Sequence, residues 1–242
     1  MTKDRSPRQA ALVVNWPHRV PAPPAREMAR LLAAARLPAT WSLDQTTQIE
    51  ALASWGALRG PGAEAALLAE GRPIAHEDLA HDGAAREITR RLELLRGSGL
   101  SVDVVQCGPE MASGAWPRTL RALGIRGAIV DGSGMTRALP FGVWLFAPQT
   151  SLPRARSWRS WLQRRPPPFR AAKRGPALAI IDLAAAGAVG SRRWREVEQT
   201  VADAAEIHHA NHVALTTVGQ IAHGLAQANQ PRPQRSVLRT AA

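Results

Sequence analysis

The sequence predicts an α/β protein, built as a single irregular (β/α) barrel of about seven or eight strands. The chain has 242 residues, of which 45% are hydrophobic, and this is enough for one sizeable core in a single domain. Short apolar runs alternate along the chain with segments whose apolar residues recur at helical spacing. Most of the short runs are continuously apolar, which is typical of parallel strands that helices cover on both faces. Their number favours a barrel.

The alternation predicts eight strands and five helices. The strands are Ala11–Trp16, Ala39–Leu43, Arg72–Ala75, Val102–Gln106, Gly127–Asp131, Val143–Phe146, Leu178–Asp182 and Val213–Thr216. The helical repeats begin at Met28, Ile88, Trp116, Val197 and Val218. For the second helix, Asp82 is the predicted N-cap and Gly97 the predicted end, and Thr217 with Gln220 has the spacing of a capping box for the last helix.

The predicted barrel covers residues 10–228. We expect a flexible arm over residues 1–9 and a disordered basic tail over 229–242, which carries no apolar pattern. Two segments rich in Pro and Gly, 56–63 and 147–177, interrupt the alternation. Both are predicted as excursions at the barrel rim, because no change of composition marks a second core.

The positive charge is the strongest compositional bias. The net charge is +12 and almost all of the basic residues are arginines, a composition that a GC-rich genome also produces. Residues 154–174 combine eight basic residues with interleaved tryptophans and contain no acidic residue. This segment predicts either a surface for a nucleic-acid strand or an anionic glycan, or a solvated loop. Its basic residues are Arg154, Arg156, Arg159, Arg164, Arg165, Arg170, Lys173 and Arg174.

The sequence excludes several other classes of protein. The single cysteine, Cys107, rules out a disulfide framework and a four-cysteine zinc site. No apolar run is long enough for a signal peptide or a membrane span, so we expect a soluble cytoplasmic protein without a membrane partner. The glycine-rich phosphate loop and the G-x-S-x-G nucleophile motif are both absent.

An ordered set of segments resembles one known family. The segments are RLLAAARLPATWSL from residue 30, LLAEGRPIAHEDLAHDG from 67, RTLRALGIRGAIVDGS from 118, ALAIIDLAAAG from 177 and NHVALTTVGQIA from 211. In this order they are similar to the polysaccharide deacetylase domain, the NodB-homology domain of carbohydrate esterase family 4. The resemblance covers residues 10–226 and implies the barrel of that family.

The resemblance also implies which positions should carry chemistry. The family holds a divalent metal with one Asp and two His, and it uses a second Asp as general base and a late His as general acid. Asn15 stands at the position of the base, Trp16 at that of the metal-binding Asp, and Glu77 and His81 at the two His. Asp182, or Ile181 in a shifted register, stands at the late His.

These replacements imply that the family's chemistry is largely lost. An amide cannot take a proton at neutral pH, and an indole offers no lone pair to a cation. Glu77 and His81 could still bind Zn, Mn or Fe, although the expectation is no cofactor. Asp182 is either a remaining titrating group or a helix N-cap or partner of an arginine. The candidate ligand-binding residues are Trp16, Gln106 and His18, with Gln106 (or Cys107) at the position of the family's supporting Arg.

Three functions remain open at this point. The first is a non-catalytic protein of this ancestry that binds a glycan or a protein partner, with Trp16 at the pocket floor stacking on a sugar. The second is a divergent hydrolase of acetylated glycans that uses Glu77, His81 and Asp182. The third is a basic nucleic-acid-associated or scaffold protein that acts through residues 154–174. We expect the first, and the question of enzymatic activity stays open: an active protein would be a hydrolase of the C–N or ester bonds of an acetylated glycan.

Overall fold

The computed structural model describes residues 8–58, 62–69, 77–130, 135–153 and 176–229. Within these ranges the chain forms ten strands, seven α-helices and two single-turn 3₁₀ helices. The strands are β1 Arg8–Trp16, β2 Ala39–Leu43, β3 Ala63–Leu68, β4 Val104–Cys107, β5 Gly127–Val130, β6 Arg137–Ala138, β7 Trp144–Phe146, β8 Thr150–Leu152, β9 Ala177–Asp182 and β10 Val213–Leu215. The helices are α1 Ala22–Ala35, α2 Thr46–Ser54, α3 Glu77–Gly97, α4 Trp116–Ala122, α5 Leu183–Ala186, α6 Arg192–His209 and α7 Val218–Ala228. The 3₁₀ turns are Pro109–Ala112 and Pro140–Gly142.

All ten strands belong to one sheet, in which β6 alone runs antiparallel to its neighbour. The order is β6-β7-β5-β4-β3-β2-β1-β9-β8, and β10 pairs with the first residues of β1. Among the described residues, no pairing joins β6 to β8, so the sheet curls without closing. The predicted α/β barrel-type fold is confirmed. The structure has two or three more strands than expected, because strands as short as β6 and β8 leave no recognisable pattern in the sequence.

Two apolar clusters lie on opposite faces of the sheet. The larger includes alternate residues of β1, such as Leu12 and Val14, and packs against apolar stripes of the outer helices, for example Met28 of α1 and Trp194 of α6. The smaller cluster contains the intervening β1 residues together with side chains of β3, β4, β5, β7, β9 and α7. Because α7 contacts both β1 and β5, which are four strands apart, it must lie on the concave side.

Helix α7 is tied to the amino-terminal half of the sheet by polar contacts. The backbone N–H of Val218 donates to Oγ1 of Thr40 on β2 at 3.0 Å, and the N–H of Gly219 donates to Oε2 of Glu64 on β3 at 2.9 Å. The predicted capping box of Thr217 and Gln220 is present. These contacts fix α7 across one end of the concave face and leave the carboxyl ends of the strands at the other end.

Four local features differ from the predictions. The third strand is Ala63–Leu68, which begins at the edge of the excursion predicted over 56–63; the predicted strand Arg72–Ala75 lies outside the described residues. Helix α2, Thr46–Ser54, was not predicted. Helix α3 begins at Glu77, five residues before the predicted N-cap Asp82. Strand β1 also begins earlier than expected, at Arg8.

No helix of the described ranges combines the length and the apolar character that a membrane crossing needs.

Candidate functional site

A row of polar side chains crosses the concave face where the parallel strands end. Asn15 of β1 is in register with Ser42 of β2 on one side and with Asp182 of β9 on the other. Side chains alternate along a strand, and Ala11 and Val13 belong to the concave cluster, so Asn15 faces the same side. Residues paired in register face the same side, which places Ser42 and Asp182 beside it.

Within the described part of the chain, four buried side-chain oxygen atoms at this edge have no hydrogen-bond partner. They are Asn15 Oδ1, Ser42 Oγ, Gln106 Oε1 and Thr136 Oγ1. Gln106, near the end of β4, is only 3% exposed, and it faces the concave side with Val104. Thr136 precedes Arg137, which pairs with Leu145, so Thr136 lies level with the end of β7. Leaving such an atom buried without a partner costs roughly 1–3 kcal/mol, so each of these atoms requires a partner, which a ligand or an ordered water can supply.

Asp182 has a structural partner in the next helix. Its Oδ1 accepts hydrogen bonds from the backbone N–H groups of Ala184 at 2.9 Å and Ala185 at 3.4 Å. Asp182 is therefore the N-cap of α5, which was one of its two predicted roles. The carboxyl still stands beside Asn15 at the edge of the sheet.

Trp16 lies on the opposite face from the one predicted. Its ring is 4% exposed and packs in the larger cluster, its indole N–H donates to the carbonyl of Val20 at 2.9 Å, and it stacks on Trp55 with ring centroids 5.6 Å apart. A one-residue step along a strand reverses the direction of the side chain. Trp16 therefore cannot share the concave pocket with Asn15, and the prediction that it stacks on a sugar at the pocket floor is wrong.

His18 is hydrogen-bonded to Asp44 at the same edge of the sheet. It follows β1, and Asp44 directly follows β2. The backbone N–H of His18 donates to Asp44 Oδ1 at 3.0 Å, and its ring Nδ1 lies 2.5 Å from Asp44 Oδ2. Gln48 holds both loops, since its Oε1 accepts from the N–H of Asp44 at 3.0 Å and its Nε2 donates to the carbonyl of Trp16 at 2.6 Å.

The described residues at this edge do not by themselves supply the donor set of the divalent metal that the resemblance implies. Asn15 offers only a neutral amide. The indole N–H of Trp16 donates to the carbonyl of Val20, and the carboxylate of Asp182 caps α5. A zinc site needs three or four strong donors. In the described part of the chain, no three His, Cys, Asp or Glu residues come close enough to hold an ion.

For two sets of predicted site residues, the side chains lie outside the described residues. Glu77 and His81 were expected in a loop, but the backbone of both belongs to the first turns of α3, and their side chains lie outside the described residues. Residues 154–174, with all eight basic residues of the predicted patch, also lie outside them.

Sequence reasoning missed three residues of this edge, namely Ser42, Asp44 and Thr136. Ser42 lies inside a correctly predicted strand, so its alternation with Trp41 could have placed it on the polar face. Nothing in the sequence signals that Asp44 meets His18, which is 26 residues earlier. Thr136 directly precedes the two-residue strand β6, which leaves no recognisable pattern.

Comparisons with known proteins define the fold. No model of a protein family matches the sequence, and no curated protein matches it. Among solved structures, a protein described as a polysaccharide deacetylase from Mycobacterium smegmatis superposes with a TM-score of 0.57 and 14% identity, over 93% of both chains. A mutant of the peptidoglycan deacetylase PdaC from Bacillus subtilis gives 0.53 and 11%, over 92% of this chain and 93% of the other.

One further neighbour has a different activity in its name. The 4-alpha-glucanotransferase from Thermococcus litoralis superposes with a TM-score of 0.51 and 13% identity, over 88% of this chain and 40% of its own. At these identities the likeness concerns the fold, and the activity has to be argued from the site.

Proposed function

We propose that this chain, which has the fold of the polysaccharide deacetylases, binds a carbohydrate at the carboxyl edge of its sheet and does not carry out metal-dependent deacetylation there. The observation that carries the proposal is the set of four buried oxygens, on Asn15, Ser42, Gln106 and Thr136, that have no partner among the described residues. The solved deacetylases of the same fold, one of them named for peptidoglycan, make a glycan the natural ligand to test.

The chemistry of the row suits sugar hydroxyl groups better than a cation. Amide and hydroxyl oxygens accept hydrogen bonds from hydroxyl donors, and a ligand that supplies these donors removes the cost of burying the oxygens unpaired. Adjacent strands are about 4.8 Å apart, so neighbouring members of the row can contact successive hydroxyl groups of one ring. A cation would need three or more carboxylate, imidazole or thiolate donors in one group, and the described part of this edge brings no such group together.

The first test replaces one unpartnered oxygen at a time. In Ser42→Ala and Gln106→Leu, a buried polar group without a partner becomes apolar, so we expect the free energy of unfolding to rise by up to about 1 kcal/mol. The same changes should weaken glycan binding by roughly 2- to 10-fold for each hydrogen bond lost. Urea unfolding and calorimetric titration with chitooligosaccharides and peptidoglycan fragments measure the two effects.

Thr200→Val is the matched control. Thr200 is also a buried hydroxyl, but it lies on α6 and its Oγ1 donates to the carbonyl of Glu196 at 2.9 Å. We expect this variant to lose stability and to keep glycan binding. If Ser42→Ala also loses stability and binds normally, the oxygens are structural and the proposal is wrong. Acetate release that requires added Zn²⁺ and is lost in Glu77→Ala would instead support a metal-dependent hydrolase.

A further inference from the structure

The pair of His18 and Asp44 has the features of an acid–base site that does not depend on a metal. We propose that His18 acts as a general base, oriented by Asp44, which activates water for the hydrolysis of small carboxylic esters at the carboxyl edge of the sheet. This inference goes beyond the proposed function, which is binding alone. It also uses residues other than those that stand at the catalytic positions of the resembling family.

The contact with Asp44 fixes which ring nitrogen of His18 carries the hydrogen. An ionised carboxylate only accepts hydrogen bonds, so Nδ1, at 2.5 Å from Asp44 Oδ2, must be the donor. The neutral ring then has its lone pair on Nε2. An Asp that orients a His in this way also stabilises the imidazolium that forms when Nε2 takes a proton.

The pair is held in place before any substrate arrives. The carboxylate of Asp44 accepts from the backbone N–H of His18 as well as from its ring, so it fixes the main chain and the side chain together. Gln48 bridges Asp44 to the carbonyl of Trp16. Three of these hydrogen bonds, two between His18 and Asp44 and one between Gln48 and Trp16, therefore join the end of β1 and its loop to the segment after β2. Little rearrangement is needed for the proton transfer.

The two members of the pair differ in exposure in the way that this role requires. The side chain of Asp44 is only 7% exposed, whereas that of His18 is 56% exposed. A shielded carboxylate keeps its partner, because water does not compete strongly for it. The open imidazole can meet a water molecule and an ester that arrive from solvent. The unpartnered oxygens of Asn15 and Ser42, at the ends of the same two strands, lie at this edge as well.

The proposed step balances without a metal or another reactant. Nε2 of His18 takes one proton from a water molecule while the water oxygen bonds to the acyl carbon of the ester. The bond between the acyl carbon and the alcohol oxygen then breaks, and the imidazolium returns the proton to that oxygen. The products are a carboxylic acid and an alcohol. His18 is the catalytic residue, and Asp44 is a positioning residue.

The test is the hydrolysis of p-nitrophenyl acetate by the full chain in the presence of EDTA. We expect an activity that EDTA leaves unchanged and that falls by roughly 100-fold or more in His18→Gln, as for the loss of a general base. His212→Gln is the matched control, because His212 is exposed and lies at the other end of the sheet, just before β10. It should keep the wild-type rate.

Asp44→Asn separates positioning from folding. An Asn amide would donate to Nδ1 and move the ring hydrogen to Nε2, so we expect nitrogen NMR of His18 to report the opposite tautomer and the rate to fall, while circular dichroism stays unchanged. Equal rates for His18→Gln and the wild type would overturn the proposal, as would loss of activity with EDTA. Glycan binding is measured on the same variants. Binding that fails while ester hydrolysis persists would count against the proposed function alone.

Discussion

Glu64 is a buried carboxyl group on the concave face, at the end of the sheet opposite the candidate site. Its Oε2 accepts hydrogen bonds from Thr40 Oγ1 at 2.8 Å and from the N–H of Gly219 at 2.9 Å. Burial raises the pKa of Glu64 above its ordinary value of 4.5, and the hydrogen bonds from Gly219 and Thr40 oppose the rise only in part. The folded protein therefore holds the proton of Glu64 more tightly than the unfolded chain does.

This difference predicts how stability changes with pH. The stabilisation from the protonated carboxyl is fully present below pH 4.5, and it is lost as the pH rises through the raised pKa of the folded protein. Glu64→Gln keeps an oxygen acceptor and cannot ionise. We therefore expect it to exceed the wild type in free energy of unfolding by on the order of 1 kcal/mol at pH 8, and by less at pH 4.

Urea unfolding between pH 4 and pH 8 measures this difference, with Glu50→Gln as the control because Glu50 is exposed on α2. If the difference in free energy of unfolding between the wild type and Glu64→Gln is constant across this pH range, the prediction is wrong.

At the scale of elements, α7 depends on one close approach to the sheet. A Cβ added at Gly219 would stand 1.8 Å from Glu64 Oε1, which is far inside contact distance, whereas a Cβ at Gly224 in the same helix would meet nothing within 4 Å. The absence of a side chain at Gly219 is therefore what lets the Glu64 carboxylate reach the amino-terminal turn of α7. This turn is also where the helix dipole favours a negative charge.

The two glycines predict opposite effects of the same substitution. Gly224→Ala should stabilise the protein by up to about 1 kcal/mol, since alanine is the better helix former and has room. Gly219→Ala should destabilise it by about 1–3 kcal/mol, because the displaced carboxylate leaves buried donors unpaired. Thermal unfolding of both variants measures the difference, and melting temperatures that move in the same direction would show that the close approach is unimportant.

The elements that the sequence predicted are those whose local pattern agrees with their environment. Strand β2, ATWSL, was predicted with its observed bounds because it is short, mixed in β-branched and aromatic residues, and buried throughout. Strand β3 was missed because Ala63–Leu68 consists of Ala, Glu and Leu, which favour helix or are neutral. Helix α2 was missed because Gln45 and Gln48 form its capping box, in which Ser or Thr is the usual first residue.

The candidate site was predictable along the strands but not between them. Asn15, Gln106 and Asp182 could be placed at strand ends because the apolar runs before them are clear. The sequence analysis was wrong about which face of the sheet a side chain lies on. It assigned Asn15 and Trp16 to one pocket, but adjacent residues of a strand lie on opposite faces. The contact of His18 with Asp44 depends on the pairing of β1 with β2, which no local pattern records.

At the scale of the whole molecule, the sheet separates two polar environments. The amino-terminal end of the concave face is filled by α7, whose contacts with Thr40 and Glu64 satisfy the buried groups there. The carboxyl end has four buried oxygens that find no partner in the described ranges. The hydrogen bonds of buried groups are thus completed at one end of the sheet, and the proposed binding site lies at the other, which is the end that carries the active sites of α/β barrels.

The difference between the two ends of the sheet predicts that the stability of the whole protein does not depend on a divalent metal. A metal bound at 100 times its dissociation constant would add about 2.7 kcal/mol, which for a chain of this size raises the melting temperature by roughly 5–11 °C. Because the described carboxyl edge offers neutral oxygens and a capping carboxylate in place of a donor set, we expect melting temperatures within about 1 °C of each other with EDTA and with Zn²⁺ or Mn²⁺.

In the same thermal scan, a bound chitooligosaccharide should raise the melting temperature of the wild type and raise that of Gln106→Leu less, because ligand binding stabilises only the folded state.

A rise of several degrees with Zn²⁺ that is absent in Glu77→Ala would contradict the prediction that the stability of the protein does not depend on a metal. It would place a metal site on α3, where the backbone puts Glu77 and His81 one turn apart on the same face of the helix.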